Sequence, residues 1–144
     1  MQKTVSEYIP VNIYDLTLCA INGIEAYYIY GQIGVRLAGA ISVSLKGENF
    51  AGYSIGLSSS GLAHYLNSHF NETAELAKGN LGIHFTDIQN IFDYVRTYTS
   101  VSYGNKTDTV YFKKRASHKT YEMVFVIDRT NKILWGKSFR IKRT

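Results

Sequence analysis

The chain has 144 residues, 45% of them hydrophobic, which is enough to bury a core as one domain without covalent staples. Its single cysteine, Cys19, excludes an intramolecular disulfide and a zinc site of the paired-cysteine kind. The net charge of +5 is unevenly spread: residues 1–100 carry five Lys and Arg against eight Asp and Glu, whereas residues 101–144 carry eleven against three.

Met1 to Pro10 lacks the basic start and apolar run of a secretory signal, so none is expected. From Asn12, a suitable N-cap, Ile13, Leu16, Ala20, Ile24 and Tyr27 recur at spacings of three or four and predict a helix. Ile33, Val35, Leu37, Ile41, Val43 and Leu45 alternate with small or polar residues and predict a bent or paired strand. The stretch from Ile24 to Leu45 is too broken by Glu25, Gln32, Arg36 and glycines to span a membrane.

Lys46 to Asn49 reads as a turn, Phe50 to Leu57 as a short strand, and Ser58-Ser59-Ser60 as serines suited to start a helix that runs from about Ser60 to Phe70. A polar stretch, Asn71 to Asn80, follows. Thr86 and Gln89 form a T-x-x-Q capping box ahead of Ile88, Ile91, Phe92 and Val95, which share one helical face. Val101–Tyr103, Thr109–Lys114, Tyr121–Asp128 and Ile133–Lys142 are rich in β-branched and aromatic residues and predict an antiparallel meander. In the last strand alternation puts Ile133, Trp135, Lys137, Phe139 and Ile141 on one face and Leu134, Gly136, Ser138, Arg140 and Lys142 on the other. The expected fold is α+β: an N-terminal helical and strand elaboration over residues 1–53, then a core of two helices packed on a C-terminal sheet.

The basic end favours a polyanionic partner, because cations that neutralise phosphates release counterions; a merely solubilising surface is the plain alternative. Lys113, Lys114 and Arg115 follow a strand, and Tyr98, Tyr103, Tyr111 and Tyr121 interleave with the cations, as base-stacking residues of an RNA binder would. Lys137 and Lys142 extend the cationic surface.

No Walker loop, G-x-G-x-x-G, H-E-x-x-H or G-x-S-x-G motif is present, and four scattered histidines make no metal box, so neither metal nor cofactor is expected. His64 and His69 lie in the run Gly61 to His69, upstream of the cationic strands. Two histidines and a cation suffice for metal-free RNA cleavage by general acid and base catalysis. Positions five apart on a helix are separated by about 140°, so the two need not share a cleft. His69 lies beside the stripe of Leu62, Leu66 and Phe70 and His64 projects away from it, which favours His69. His84 and His118 read as surface residues.

The order of strand, H-Y-L-N-S-H helix, second helix, G-N-K turn, basic strands and K-S-F-R resembles the phage and toxin nuclease domains grouped with barnase, EndoU, colicin E5, colicin D and RelE, over about Ser54 to Lys142. Carried over, the motif histidines are His64 and His69, and the final-strand hydroxyl is Ser138, beside Phe139 and followed by Arg140. Tyr65 departs from the family's aliphatic residue after the first histidine. The resemblance implies a metal-independent ribonuclease, often cleaving tRNA, that acts in the cytoplasm and is delivered as the C-terminal module of a larger secreted or phage protein. It also implies an acidic immunity or antitoxin partner, which the charge pattern would suit.

Two rivals use the same features. A non-catalytic nucleic-acid binder, such as a phage inhibitor or accessory protein, needs the basic sheet but not the histidines. A structural interaction module would use the aromatic residues as a partner interface and bind nucleic acid weakly.

Overall fold

The computed structural model describes residues 9–44 and 47–144, and of Ser68 and His69 the backbone alone. Within these residues the chain is α+β. A mostly antiparallel sheet of eight strands carries six helices.

Strand β1 (Ile9–Pro10) leads into helix α1 (Ile13–Asn22), where the Asn12 side chain accepts from the Asp15 N–H at 2.8 Å. The helix stops sooner than its periodicity predicts. Gly23 adopts a left-handed φ of 70° and its N–H returns to the Cys19 carbonyl, a C-cap that glycine makes without steric cost. Tyr27, expected on that helix, instead lies in strand β2 (Ala26–Gln32).

The predicted strand over Ile33–Leu45 is a helix, α2 (Val35–Ser44). Leu37, Ala38 and Ile41 are the buried members, a helical spacing hidden inside an alternating pattern because the intervening residues are small. Leu45 and Lys46 lie outside the described residues. Strand β3 (Ser54–Ser58) begins four residues later than expected, and Ser58 caps helix α3 (Ser59–His69) by accepting from the Gly61 N–H at 3.1 Å.

The polar stretch holds a short helix, α4 (Glu72–Ala77), and a two-residue strand, β4 (Asn80–Leu81). The next helical segment is split into α5 (Phe85–Gln89) and α6 (Ile91–Arg96). Its cap is not the Thr86 and Gln89 box. The His84 N–H donates to the Asp87 carboxylate at 2.9 Å, so the capping acid stands three residues after His84.

The meander comprises β5 (Ser100–Gly104), β6 (Thr109–Arg115), β7 (Lys119–Asp128) and β8 (Ile133–Arg143). The sheet runs β1-β2-β3-β8-β7-β6-β5, with β4 pairing β8 off this path. Pairing is antiparallel except for β1 with β2 and β3 with β8. The described part of the first 53 residues thus contributes two strands, β1 and β2, to the same sheet.

Register fixes the faces. Tyr121, Met123, Phe125 and Ile127 of β7 pair with Ile141, Phe139, Gly136 and Leu134 of β8, and with Phe112 and Val110 of β6 they form the inner face. Helix α3 packs there: the Tyr65 ring meets Phe139 at 6.1 Å, and a Cβ on Gly136 would come within 2.6 Å of the Tyr65 hydroxyl. Tyr94 of α6 stacks on Tyr121 at 4.0 Å. Helix α1 packs against α3 and β2, and α2 reaches β5, where the Ser44 hydroxyl donates to the Val101 carbonyl at 3.3 Å.

Strand β8 does not alternate without interruption. Val124 pairs with Ser138 but Phe125 pairs with Gly136, leaving Lys137 as a bulge residue. Leu134 and Gly136 therefore share the inner face with Phe139 and Ile141, whereas Ser138, Arg140 and Lys142 share the outer face with Ile133 and Trp135. This corrects the two sets expected from simple alternation.

One end of the sheet is tied by Arg129, in the turn between β7 and β8. Its Nε and one terminal nitrogen donate to Glu48 at 2.7 and 3.0 Å, and its guanidinium also binds Asp108 in the turn between β5 and β6. Three connecting segments meet on this one side chain.

Candidate catalytic and nucleic-acid site

Lys113, Glu122 and Arg140 are direct neighbours across β6, β7 and β8, so their side chains form one row on the outer face. Ser100 of β5 continues this row beside Lys113. On one side the adjacent row is Ser102, Tyr111, Val124 and Ser138; on the other it is Arg115, Thr120 and Lys142. Sheet pairing alone gathers these side chains, from consecutive strands of the meander.

Glu122 is the centre. Only 4% of its side chain is exposed, while those of Lys113, Arg140 and Lys142 are 47%, 44% and 47% exposed. Arg140 Nε donates to Glu122 Oε1 at 2.8 Å, and the Lys142 and Lys113 ammonium groups stand 3.6 and 4.0 Å from Oε2. One carboxylate with three cations leaves a local surplus of +2. The two lysines are held loosely and can turn toward an added anion, whereas the arginine is fixed by its hydrogen bond.

Tyr111 completes the group. Burial raises its phenol above the ordinary tyrosine pKa, and the charge of Glu122 and a hydrogen bond to it push the same way against the opposing pull of Arg140. The phenol therefore keeps its proton at neutral pH. The Lys113 ammonium lies 5.7 Å from the Tyr111 ring centroid.

The sequence-selected residues divide. Tyr111, Lys113, Arg115, Ser138, Arg140 and Lys142 come together on the outer face. Lys114 pairs with Tyr121 and so belongs to the inner face, as does Tyr103, whose hydroxyl donates to Asp108 at 3.0 Å. Lys137 is exposed at the bulge.

The histidines stand elsewhere. His64 is on the exposed side of α3, behind Leu62 and Tyr65, which are buried against the inner face; the sheet separates it from Ser138 and Arg140. His69 ends α3, and its side chain lies outside the described residues. His84 precedes α5, and His118 is exposed in the turn between β6 and β7.

Sequence reading missed Glu122. Its signal was present: a lone carboxylate in the apolar strand Thr120 to Ile127, on the face opposite Tyr121, Met123 and Phe125. A buried acid there needs cationic partners, and the only neighbouring strands are the basic ones.

Among the described residues no group of three or more His, Cys, Asp and Glu side chains could hold a metal ion. Nor is any helix there long and apolar enough to cross a membrane. No protein-family model matches the sequence, and neither the curated proteins nor the solved structures yield a match.

Proposed function

We propose that this protein is an endoribonuclease that cleaves RNA by metal-independent transesterification at the outer face of its sheet. The observation that carries the reading is the nearly buried Glu122 carboxylate amid Arg140, Lys142, Lys113 and the protonated Tyr111 phenol. The resemblance to barnase-like and RelE-like nuclease domains supports the same reaction, and the basic strands suit a phosphate chain.

In this chemistry Glu122 accepts the proton of a ribose 2′-hydroxyl. The 2′-oxygen attacks phosphorus and the bond to the 5′-oxygen breaks, with Tyr111 delivering the proton that the leaving oxygen takes up. Arg140, Lys113 and Lys142 stabilise the charge that collects on the phosphorane oxygens. The products are a 2′,3′-cyclic phosphate and a free 5′-hydroxyl. The proton chemistry rests on Glu122 and Tyr111 in place of the histidine pair.

Incubating the purified protein with total cellular RNA in excess EDTA, followed by mapping of new ends, tests this. Discrete fragments ending in 2′,3′-cyclic phosphate are expected. Glu122→Gln should slow their formation by about 10²- to 10⁴-fold while RNA is still bound.

A second reading, an RNA-binding module without turnover, is favoured by how little of Glu122 is exposed, as in a structural ion pair. It predicts intact RNA under the same conditions, with salt-sensitive binding that is unchanged or tighter in Glu122→Gln.

A further inference from the structure

A cavity of about 560 Å³ opens on the helix side of the sheet, between the start of α2 and the segment joining α6 to β5. This is within the roughly 300–1,000 Å³ of small-ligand pockets. Its lining includes Arg36 and Arg96, the rings of Phe92 and Tyr98, and the threonines Thr97 and Thr99.

The two arginines are held differently. Arg96 pairs with Asp93 and its guanidinium lies over the Phe92 ring, 5.0 Å from the centroid. Arg36, in the first turn of α2, is exposed and makes no hydrogen bond or ion pair among the described residues. Arg36 is therefore free to bind an anion, with the positive end of α2 reinforcing its charge.

The aromatic walls are fixed in place. Phe92 lies against Gly31, where even a Cβ would come within 2.7 Å of the ring, and Tyr98 is held edge-on by Phe112 at 6.1 Å. At the mouth, Gly34 has no neighbouring atom within 4 Å of the position a Cβ would take.

We infer that this cavity binds a nucleotide, its base against Phe92 and Tyr98 and its phosphate on Arg36. An unpaired guanidinium beside rigid aromatic rings matches both halves of such a ligand, since bases stack on aromatic faces and arginine grips phosphate oxygens. The ligand is either a free nucleotide or one unit of an RNA chain. The cavity wall adjoins the outer-face row: the Thr99 N–H donates to the Lys113 carbonyl at 2.7 Å, and the Thr99 hydroxyl accepts from the Arg115 N–H at 2.9 Å. A chain bound at Lys113 could thus pass the β5 edge; only this RNA source rests on the proposed function.

Amide NMR spectra of the full chain, titrated with each of the four nucleoside 5′-monophosphates and then with a short single-stranded RNA, provide the test. Shifts at Thr97 to Thr99 are expected with at least one monophosphate. Arg36→Ala should weaken that binding at least about tenfold. Lys113→Ala with Lys142→Ala, in which Arg140 still holds Glu122, should leave it unchanged, so loss of the catalytic reading would not touch it. If the RNA moves the same resonances and Arg36→Ala weakens RNA binding, the site serves the chain; if only the monophosphates do so, it serves the free nucleotide. Absence of shifts at Thr97 to Thr99 with every ligand, or shifts indifferent to Arg36→Ala in a protein with an otherwise unchanged spectrum, would overturn the inference.

Discussion

Two charged clusters in this protein are near opposites. Around Arg129 one cation serves two carboxylates, Glu48 and Asp108, with bidentate geometry and a net charge of −1. Around Glu122 one carboxylate serves three cations and the net charge is +2. The first joins three connecting segments at the end of the sheet and fits a structural tie. The second lies on a sheet face turned away from the helices, has positive charge to spare, and keeps two lysines at 3.6 and 4.0 Å instead of in tight pairs. An ion cluster with surplus charge and loose members is suited to take a further ion; a balanced one is suited to hold the fold.

The widest separation between the two should appear in RNA affinity. Lys113→Ala with Lys142→Ala removes two phosphate contacts and should lower affinity roughly tenfold or more near 0.1 M salt, reducing the salt slope by about 1.4. Filter binding across a salt series measures both, and an unaltered slope would place the RNA elsewhere. Folding stability should change little, because Arg140 retains Glu122.

Arg129→Ala should do the reverse. It strands two partly exposed carboxylates and should cost about 1 kcal/mol in urea unfolding, a modest figure because the guanidinium side chain is 43% exposed. RNA affinity should stay within twofold; a marked loss would mean that this cluster also meets the ligand.

The smallest effect is one of pH. The Arg129 hydrogen bond holds the Asp108 carboxyl below its ordinary value of 3.8, with partial burial opposing and the Tyr103 hydroxyl assisting. A depressed folded-state pKa gives stability that is present above the ordinary value and lost as pH falls from there through the folded-state value. The difference in urea midpoint between the protein and Asp108→Asn should therefore be greatest near pH 6 and shrink below about pH 4. A gap constant down to pH 3 would show that the carboxylate's charge does not matter.

The meander was legible because its strands are dense in β-branched and aromatic residues, and the caps Asn12 and Ser58 because their side chains have a stated task at a helix start. Helix α2 was not: small residues between Leu37 and Ile41 let one sequence satisfy both a period of two and a helical face. The end of α1 turned on Gly23, which breaks a helix only when its backbone goes left-handed. The site was half legible. Lys113, Arg140 and Lys142 announced themselves by charge, but Glu122 became significant only through the register that sets it between Lys113 and Arg140. The histidine pair looked chemical in one dimension, yet His64 sits on a helix on the other side of the sheet from Arg140.

The bulge at Lys137 also makes the sheet uneven in how it takes a change of length. Gly136 and Ser138 already face adjacent residues of β7, Phe125 and Val124, so losing the Lys137 codon would close the bulge and leave Phe139, Arg140, Ile141 and Lys142 on their present faces. Losing a codon from regularly paired β6, such as that of Tyr111, would instead turn the residues beyond it to the opposite face, a contrast in tolerance that no substitution scan would reveal.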